Sequence, residues 1–308
     1  MKLSTLILEK RDRPKLVVMA GGGGTGKSYL LNQLDLGSLH QVNPDKYVED
    51  PDSPAYNKLS PGVALANKEA EALADDKTSF VWDTTASNPE KIKLFLKKGY
   101  DVYMVMVYTH PVIAYLSNAK RKRQIPSTAV FSTWRNVYNL IDKYNTMLKG
   151  NLSIFVNTRG GEYDKYVEEF NTAAKNGASG ISDYLENLNK KENIGGSSFR
   201  DPYKMSDQEE QEFYNAVKGI DYNKEDYSED RALKKYFTDW YRKKGEGPGE
   251  DKIKQRLASH RAEKERGKER HKLALNDIAD MLFDPLFQAK LNHSTPPEID
   301  KRVQNFLS

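Results

Sequence analysis

Cysteine is absent from the sequence, so neither a disulfide framework nor thiolate chemistry is available to it. Histidine is scarce as well. Of the five present, His40 and His110 fall near the ends of strand-like runs, but no pair stands at a metal-ligand spacing, which argues against a structural metal. No apolar run approaches the length needed to span a membrane. The segment Met1–Arg11 meets charge after too short an apolar stretch to read as a secretory signal. A cytoplasmic protein without a membrane partner is therefore expected. Internal repeats are missing too, and the net charge of +4 is too small to dictate a partner by itself. What remains is a polar chain of 308 residues, 38% hydrophobic and 30% charged, enough for one large or two ordinary domains.

Against that background one segment stands out. The apolar run Leu16 to Met19 leads into Gly21-Gly22-Gly23-Gly24-Thr25-Gly26-Lys27-Ser28, and the helix-like run Tyr29 to Leu34 follows. This is G-x-x-x-x-G-K-S in the strand–loop–helix setting that a Walker A loop requires. Glycines let backbone N–H groups wrap around phosphate oxygens. Lys27 has the reach for the β- and γ-phosphates, and the Ser28 hydroxyl suits Mg²⁺. Residues 21–28 are thus the expected nucleotide cradle. The nucleotide is ATP, with GTP left open because no base-reading motif stands out.

Strand-like and helix-like runs alternate through the first half. Strands are predicted around 16–19, 39–43, 79–83, 101–108 and 151–157. Residues 51–62, with three prolines and Gly62, read as loop. The Ala-rich stretch 63–73 reads as helix, as do 91–98 and 130–149. Ser87 or Asn88 is a candidate N-cap, with Pro89 in the first turn, Glu90 positioned for a capping box and Gly99 as the stop. Five strands interleaved with helices imply an α/β fold, a P-loop NTPase-type parallel sheet with helices on both faces. Ligands of such sheets bind beyond the carboxyl ends of the strands, and the P-loop, Asp45, Asp83 and Thr109 all fall there.

The first 160 or so residues resemble the zeta-toxin and polynucleotide-kinase branch of P-loop kinases, including its bacteriophage zeta-like proteins. The resemblance rests on the loop Gly21 to Ser28, the Asn43-Pro44-Asp45 turn, the Asp83-Thr84-Thr85 turn, and the Lys/Arg segment ending in Gln124-Ile125-Pro126. It implies an Asp at position 45 that contacts the acceptor hydroxyl as general base. Its strand-end position points the same way, and the alternative is an Asp45 that merely caps the helix or turn after Pro44. Asp83, ending an apolar strand, suits a Walker B-like carboxylate that holds Mg²⁺ with Ser28, or a turn-forming Asp bonded to its own backbone. Among Lys120, Arg121, Lys122 and Arg123, the resemblance marks Arg121 and Arg123 as lid arginines that close over ATP. The alternative is a solvated charged face. Arg135 is a further cation without a spacing argument.

The organisation expected is 1–160 as a P-loop kinase-like domain, 161–195 as a helical extension and linker, and 196–308 as a mainly helical basic region. Ser206-Asp207-Gln208-Glu209 fits a capping box, and Gly245 to Gly249 a breaker. Lys252 to Lys272 has an excess of Lys and Arg that suits nucleic-acid phosphates, or merely a solvated helix. Tyr236, Phe237, Trp240 and Tyr241 just upstream share one helical face and read more readily as helix core than as base-stacking groups. Leu273 to Phe287 is apolar enough to dock on something, and the region is also a candidate arm for a protein partner. The function expected is an ATP- and Mg²⁺-dependent kinase acting on a hydroxyl of a nucleic acid, nucleotide or nucleotide sugar. Two other readings stand beside it. One is a nucleotide-binding assembly protein, of phage type, that reuses the fold. The other is a zeta-like toxin that phosphorylates UDP-N-acetylglucosamine.

Overall fold

The computed structural model describes residues 13–37, 39–50, 52–53, 59–121, 124–192, 194, 250–291 and 294–308; of 59–60 and 250–265 it describes the backbone alone. Five strands carry the architecture: β1 (Lys15–Ala20), β2 (His40–Val42), β3 (Phe80–Asp83), β4 (Asp101–Tyr108) and β5 (Leu152–Val156). They form one sheet in the order β2-β3-β1-β4-β5, with every pairing parallel. The α/β class and the five-strand reading from the sequence are met. β1 and β4 read as continuous apolar runs because both their faces are covered.

Alternation along the strands splits the core in two. Leu16, Val18, Trp82, Met104 and Met106 join one cluster, and Val17, Met19, Val81, Tyr103, Val105 and Val107 join the other. On the first side, α3 (Leu59–Asp75) buries Ala66, Ala70 and Ala74 along a single stripe. Phe95 of α4 (Pro89–Lys97) meets Trp82 edge to face, ring centres 5.2 Å apart. Leu30 of the short α1 (Lys27–Leu31) covers part of the second side.

Several local expectations are corrected. Residues 59–62 are helical rather than loop, because Gly62 lets α3 lie against α2 (Pro44–Glu49): a Cβ there would stand 2.4 Å from Val48 Cγ2. The stretch 130–149 is two helices, α6 (Ser127–Tyr138) and α7 (Ile141–Met147), which follow α5 (Pro111–Ala119). Asn88, not Ser87, caps α4. Its side chain accepts the Glu90 N–H at 3.0 Å, which puts Glu90 one residue short of the capping-box position. Gly99 does end that helix, at φ +85°.

After β5 come α8 (Asp164–Ala174), α9 (Gly177–Lys191), α10 (Glu250–Phe283), α11 (Pro285–Lys290) and α12 (Pro296–Leu307). The chain forms two compact units, one of residues 1–197 with 274–308 and one of residues 198–273. Within the first, Leu275 and Ile278 of α10 enter the same core as α3 and α4, so the apolar run from 273 docks on the sheet domain. Ile299 and Val303 of α12 are fully buried against the second side of the sheet. α12 opens with a capping box between Thr295 and Glu298. Lys15 Nζ donates to the Leu307 carbonyl at 2.5 Å. Of the second unit, the described part is the helical stretch 250–273, which contains the basic segment 252–272. The segments around 195–198, 206–209, 236–241 and 245–249 lie outside the described residues. No described helix is long and apolar enough to cross a membrane.

Candidate functional site

A cavity of about 620 Å³ opens at the carboxyl ends of the strands. Its lining includes residues 22–28, Asp45, Asp83 to Asn88, Arg121 and Arg159. The loop's shape depends on two glycines in particular. Gly24 has φ +80°, and a Cβ on it would stand 2.3 Å from the Ala114 carbonyl oxygen. Gly26 has φ +94°, and its Cβ would meet Asn157 Nδ2 at 2.3 Å. Any larger residue at either position would be strained and would also clash. The Thr25 hydroxyl is buried and donates to the Gly22 carbonyl at 3.0 Å, which closes the loop on itself. α1 is shorter than the sequence suggested, because residues 32–34 form a turn.

Lys27 lies across the loop. Its ammonium donates to the Gly21 carbonyl at 3.0 Å and stands 3.7 Å from Asp83 Oδ1. The second distance is an ion pair without a hydrogen bond. Asp83 Oδ2 accepts from Asn43 Nδ2 at 3.4 Å. Burial pushes the Asp83 carboxyl up from the usual range. Lys27 opposes the shift, Asp45 adds to it, and Arg121 opposes it in turn. The turn that follows is held by Thr84, whose hydroxyl accepts the Ala86 N–H at 3.4 Å, while the Asp83 carboxylate meets Lys27 and Asn43.

Asp45 sits in the first turn of α2. The N-cap of that helix is Asn43, whose side chain accepts the Asp45 N–H at 2.8 Å. The carboxylate of Asp45 meets Arg121, Nη2 to Oδ2, at 3.6 Å. Arg121 follows α5 in a connection pinned by the buried Asn118, which donates to the Ile125 carbonyl at 2.8 Å and accepts its N–H at 3.0 Å. Ile125 rests over Gly23, where a Cβ would approach its Cδ1 to 2.8 Å. Arg123 lies outside the described residues. Lys120 turns to Glu162 and Tyr163, and Arg135 is bound to Asp277 of α10 away from the cavity.

Two residues of the site were missed in the sequence. Asn157 is buried at the end of β5. Its side chain donates to the Thr25 carbonyl at 2.9 Å and accepts the Arg159 N–H at 3.2 Å, and its own carbonyl takes the Thr109 hydroxyl at 2.6 Å. Applying the strand-end rule to the fifth strand, as to the others, would have found it. Arg159 had no such signal. The two histidines are structural: His40 bonds Glu69, and His110 bonds Asn171. Burial pushes His110 down to about 4, so it stays neutral.

No group of three or more His, Asp or Glu among the described residues forms a metal cage. Asp83 and Ser28 line the same cavity, and a buried carboxylate with a P-loop serine is a donor set that fits Mg²⁺ shared with nucleotide phosphates and water.

Three solved structures are similar to part of this chain. A crystal structure of AvrRxo1-ORF1:-ORF2 with ATP is 18% identical, with TM-score 0.37; the match covers 47% of this chain and 55% of that one, little more than half its length. A chain from the PezAT chromosomal toxin-antitoxin system of Streptococcus pneumoniae is 18% identical over 50% of this chain and 73% of that one, with TM-score 0.37. A sugar kinase from Janibacter sp. HTCC2649 is 13% identical over 60% and 97%, with TM-score 0.29. No curated protein matches the sequence. The stretch from residue 3 to residue 139, which holds β1 to β4, the P-loop, Asp45, Asp83 and Arg121, matches the model of the zeta toxin family.

Proposed function

We propose that the chain is a P-loop kinase that moves the γ-phosphate of ATP to a hydroxyl of a nucleic-acid end, a nucleotide or a nucleotide sugar. The observation that carries this reading is the convergence, in one cavity, of the P-loop after β1, Asp45 after β2 and Asp83 after β3. The zeta toxin match supports it. The amides of residues 22–28 and Lys27 hold the β- and γ-phosphates. Ser28 and Asp83 would hold Mg²⁺, which when bound screens the phosphate charge. Asp45 orients the acceptor hydroxyl and takes its proton as the oxygen bonds to the γ-phosphorus, while the bond from phosphorus to the bridging oxygen breaks and ADP leaves. Arg121, paired with Asp45 and lining the same cavity, would stabilise the negative charge that develops on the transferring phosphoryl group. Arg123 belongs to the same connection and keeps its proposed lid role.

Transfer of label from terminally labelled ATP to a panel of acceptors tests this. The panel holds 5′-hydroxyl DNA and RNA, hydroxymethylated DNA, nucleosides, nucleotides and UDP-N-acetylglucosamine. Label should reach one class of acceptor and fall by roughly 10²–10³-fold in Lys27→Ala. Folded protein that neither transfers nor hydrolyses ATP would overturn the reading and favour an assembly role.

A further inference from the structure

Arg159 lines the cavity but has no task in the mechanism above. It lies just past β5, at φ +58°, a left-handed conformation that residues with side chains adopt only when their surroundings impose it. The surroundings here are Asn157, which takes the Arg159 N–H, and two following glycines that also sit at positive φ. The result lays the guanidinium along the P-loop: Nη2 is 3.5 Å from where a Cβ on Gly26 would stand. Nε is closed off from solvent and has no hydrogen-bond partner. No described carboxylate pairs with the group. A half-buried guanidinium held in a strained loop without an anion is costly, unless an anion arrives.

The sheet order says which anion. Across the mouth run Asp45 after β2, Asp83 after β3, the P-loop after β1, and Arg159 after β5 at the opposite edge. Lys27 and Asp83 mark the end where phosphate is transferred, with Asp45 and the acceptor beyond them. The rest of the donor must therefore extend the other way, past Gly26 toward β5. We infer that Arg159 binds the α-phosphate of the donor nucleotide. A planar fork suits two phosphate oxygens, and its place at Gly26 puts it one step behind the β-phosphate cradle. The inference rests on the kinase reading, but it is tested by binding alone.

The experiment is calorimetric titration of the full chain with ADP and Mg²⁺, and separately with pyrophosphate, which fills the β and γ positions only. Arg159→Ala should weaken ADP at least tenfold and leave pyrophosphate within twofold. Arg159→Gln, which keeps the stem and removes the charge, should behave alike and serves if the alanine variant folds poorly. Equal weakening of both ligands would mean that Arg159 only shapes the loop, and overturns the inference. ADP binding that needs Lys27 but not Arg159 overturns it while leaving the kinase reading intact. Wild-type protein that binds no ADP overturns both.

Discussion

The loop at residues 21–28 and the helix α12 both pack on the central strands, one at their carboxyl ends and one across a face. The loop has a fixed pattern in which Gly21, Gly24 and Gly26 answer to positive φ and close neighbours, Gly23 answers to Ile125, and the Lys-Ser pair answers to the proposed phosphate and metal. α12 offers Ile299 and Val303, which sit fully buried beside Val17, Met19 and Val105, and any similar apolar pair would do nearly as well. One segment is chemically specified position by position. The other is chemically anonymous and expensive to disturb. The sheet domain therefore has its proposed chemistry at the strand ends and takes part of its core from residues after 273.

Changes on each side should separate these contributions. Asp45→Asn keeps the size of the side chain and removes the proton acceptor, so kcat should fall by about 10²–10⁴-fold while the melting temperature stays within about 2 °C. A parallel loss of ADP affinity would count against the assignment of Asp45 to the acceptor side. Ile299→Ala should do the opposite. Urea unfolding should show a loss of about 2–5 kcal/mol, and the protein that remains folded should keep its ADP affinity. A loss under 1 kcal/mol would mean that α12 covers the sheet without stabilising it.

Asp83→Asn joins the two tests, because Asp83 is buried and is also the proposed metal-holding carboxylate. A carboxyl whose pKa is raised on folding favours the folded state while protonated, fully so below its unfolded value. That advantage is lost as pH rises through the folded value. At neutral pH the wild-type carboxylate is therefore a liability. Without Mg²⁺, Asp83→Asn should stabilise the protein by about 1 kcal/mol near pH 7, and the gain should shrink toward pH 4. Transfer should be lost in the same variant. A gain that does not change with pH would assign the effect to something other than the titration of Asp83.

Much of the domain was legible because its signals are local. Apolar runs bounded by polar turns gave the five strands, and the strand-end rule brought Asp45 and Asp83 to one mouth. The short helix α2 escaped because Asn43-Pro44-Asp45 reads as a turn until Val48 packs against Gly62. The break between α6 and α7 carries neither Gly nor Pro, so a continuous helix was the natural reading of 130–149. Arg159 escaped because its signal is a buried, unpartnered Nε, which only the tertiary structure reveals.

By itself the sequence determined the phosphate loop, the parallel α/β class and the carboxylates at the strand ends, since each follows from contacts within a few residues or from a strand period. Tertiary structure decided which strand neighbours which, that Arg121 reaches Asp45 while Arg135 goes to Asp277, and that the chain returns after residue 273 to cover both sides of its sheet. These depend on packing between segments far apart in the chain. Apolar side chains bury without naming their partners, and the cost of closing a long loop grows only slowly with its length.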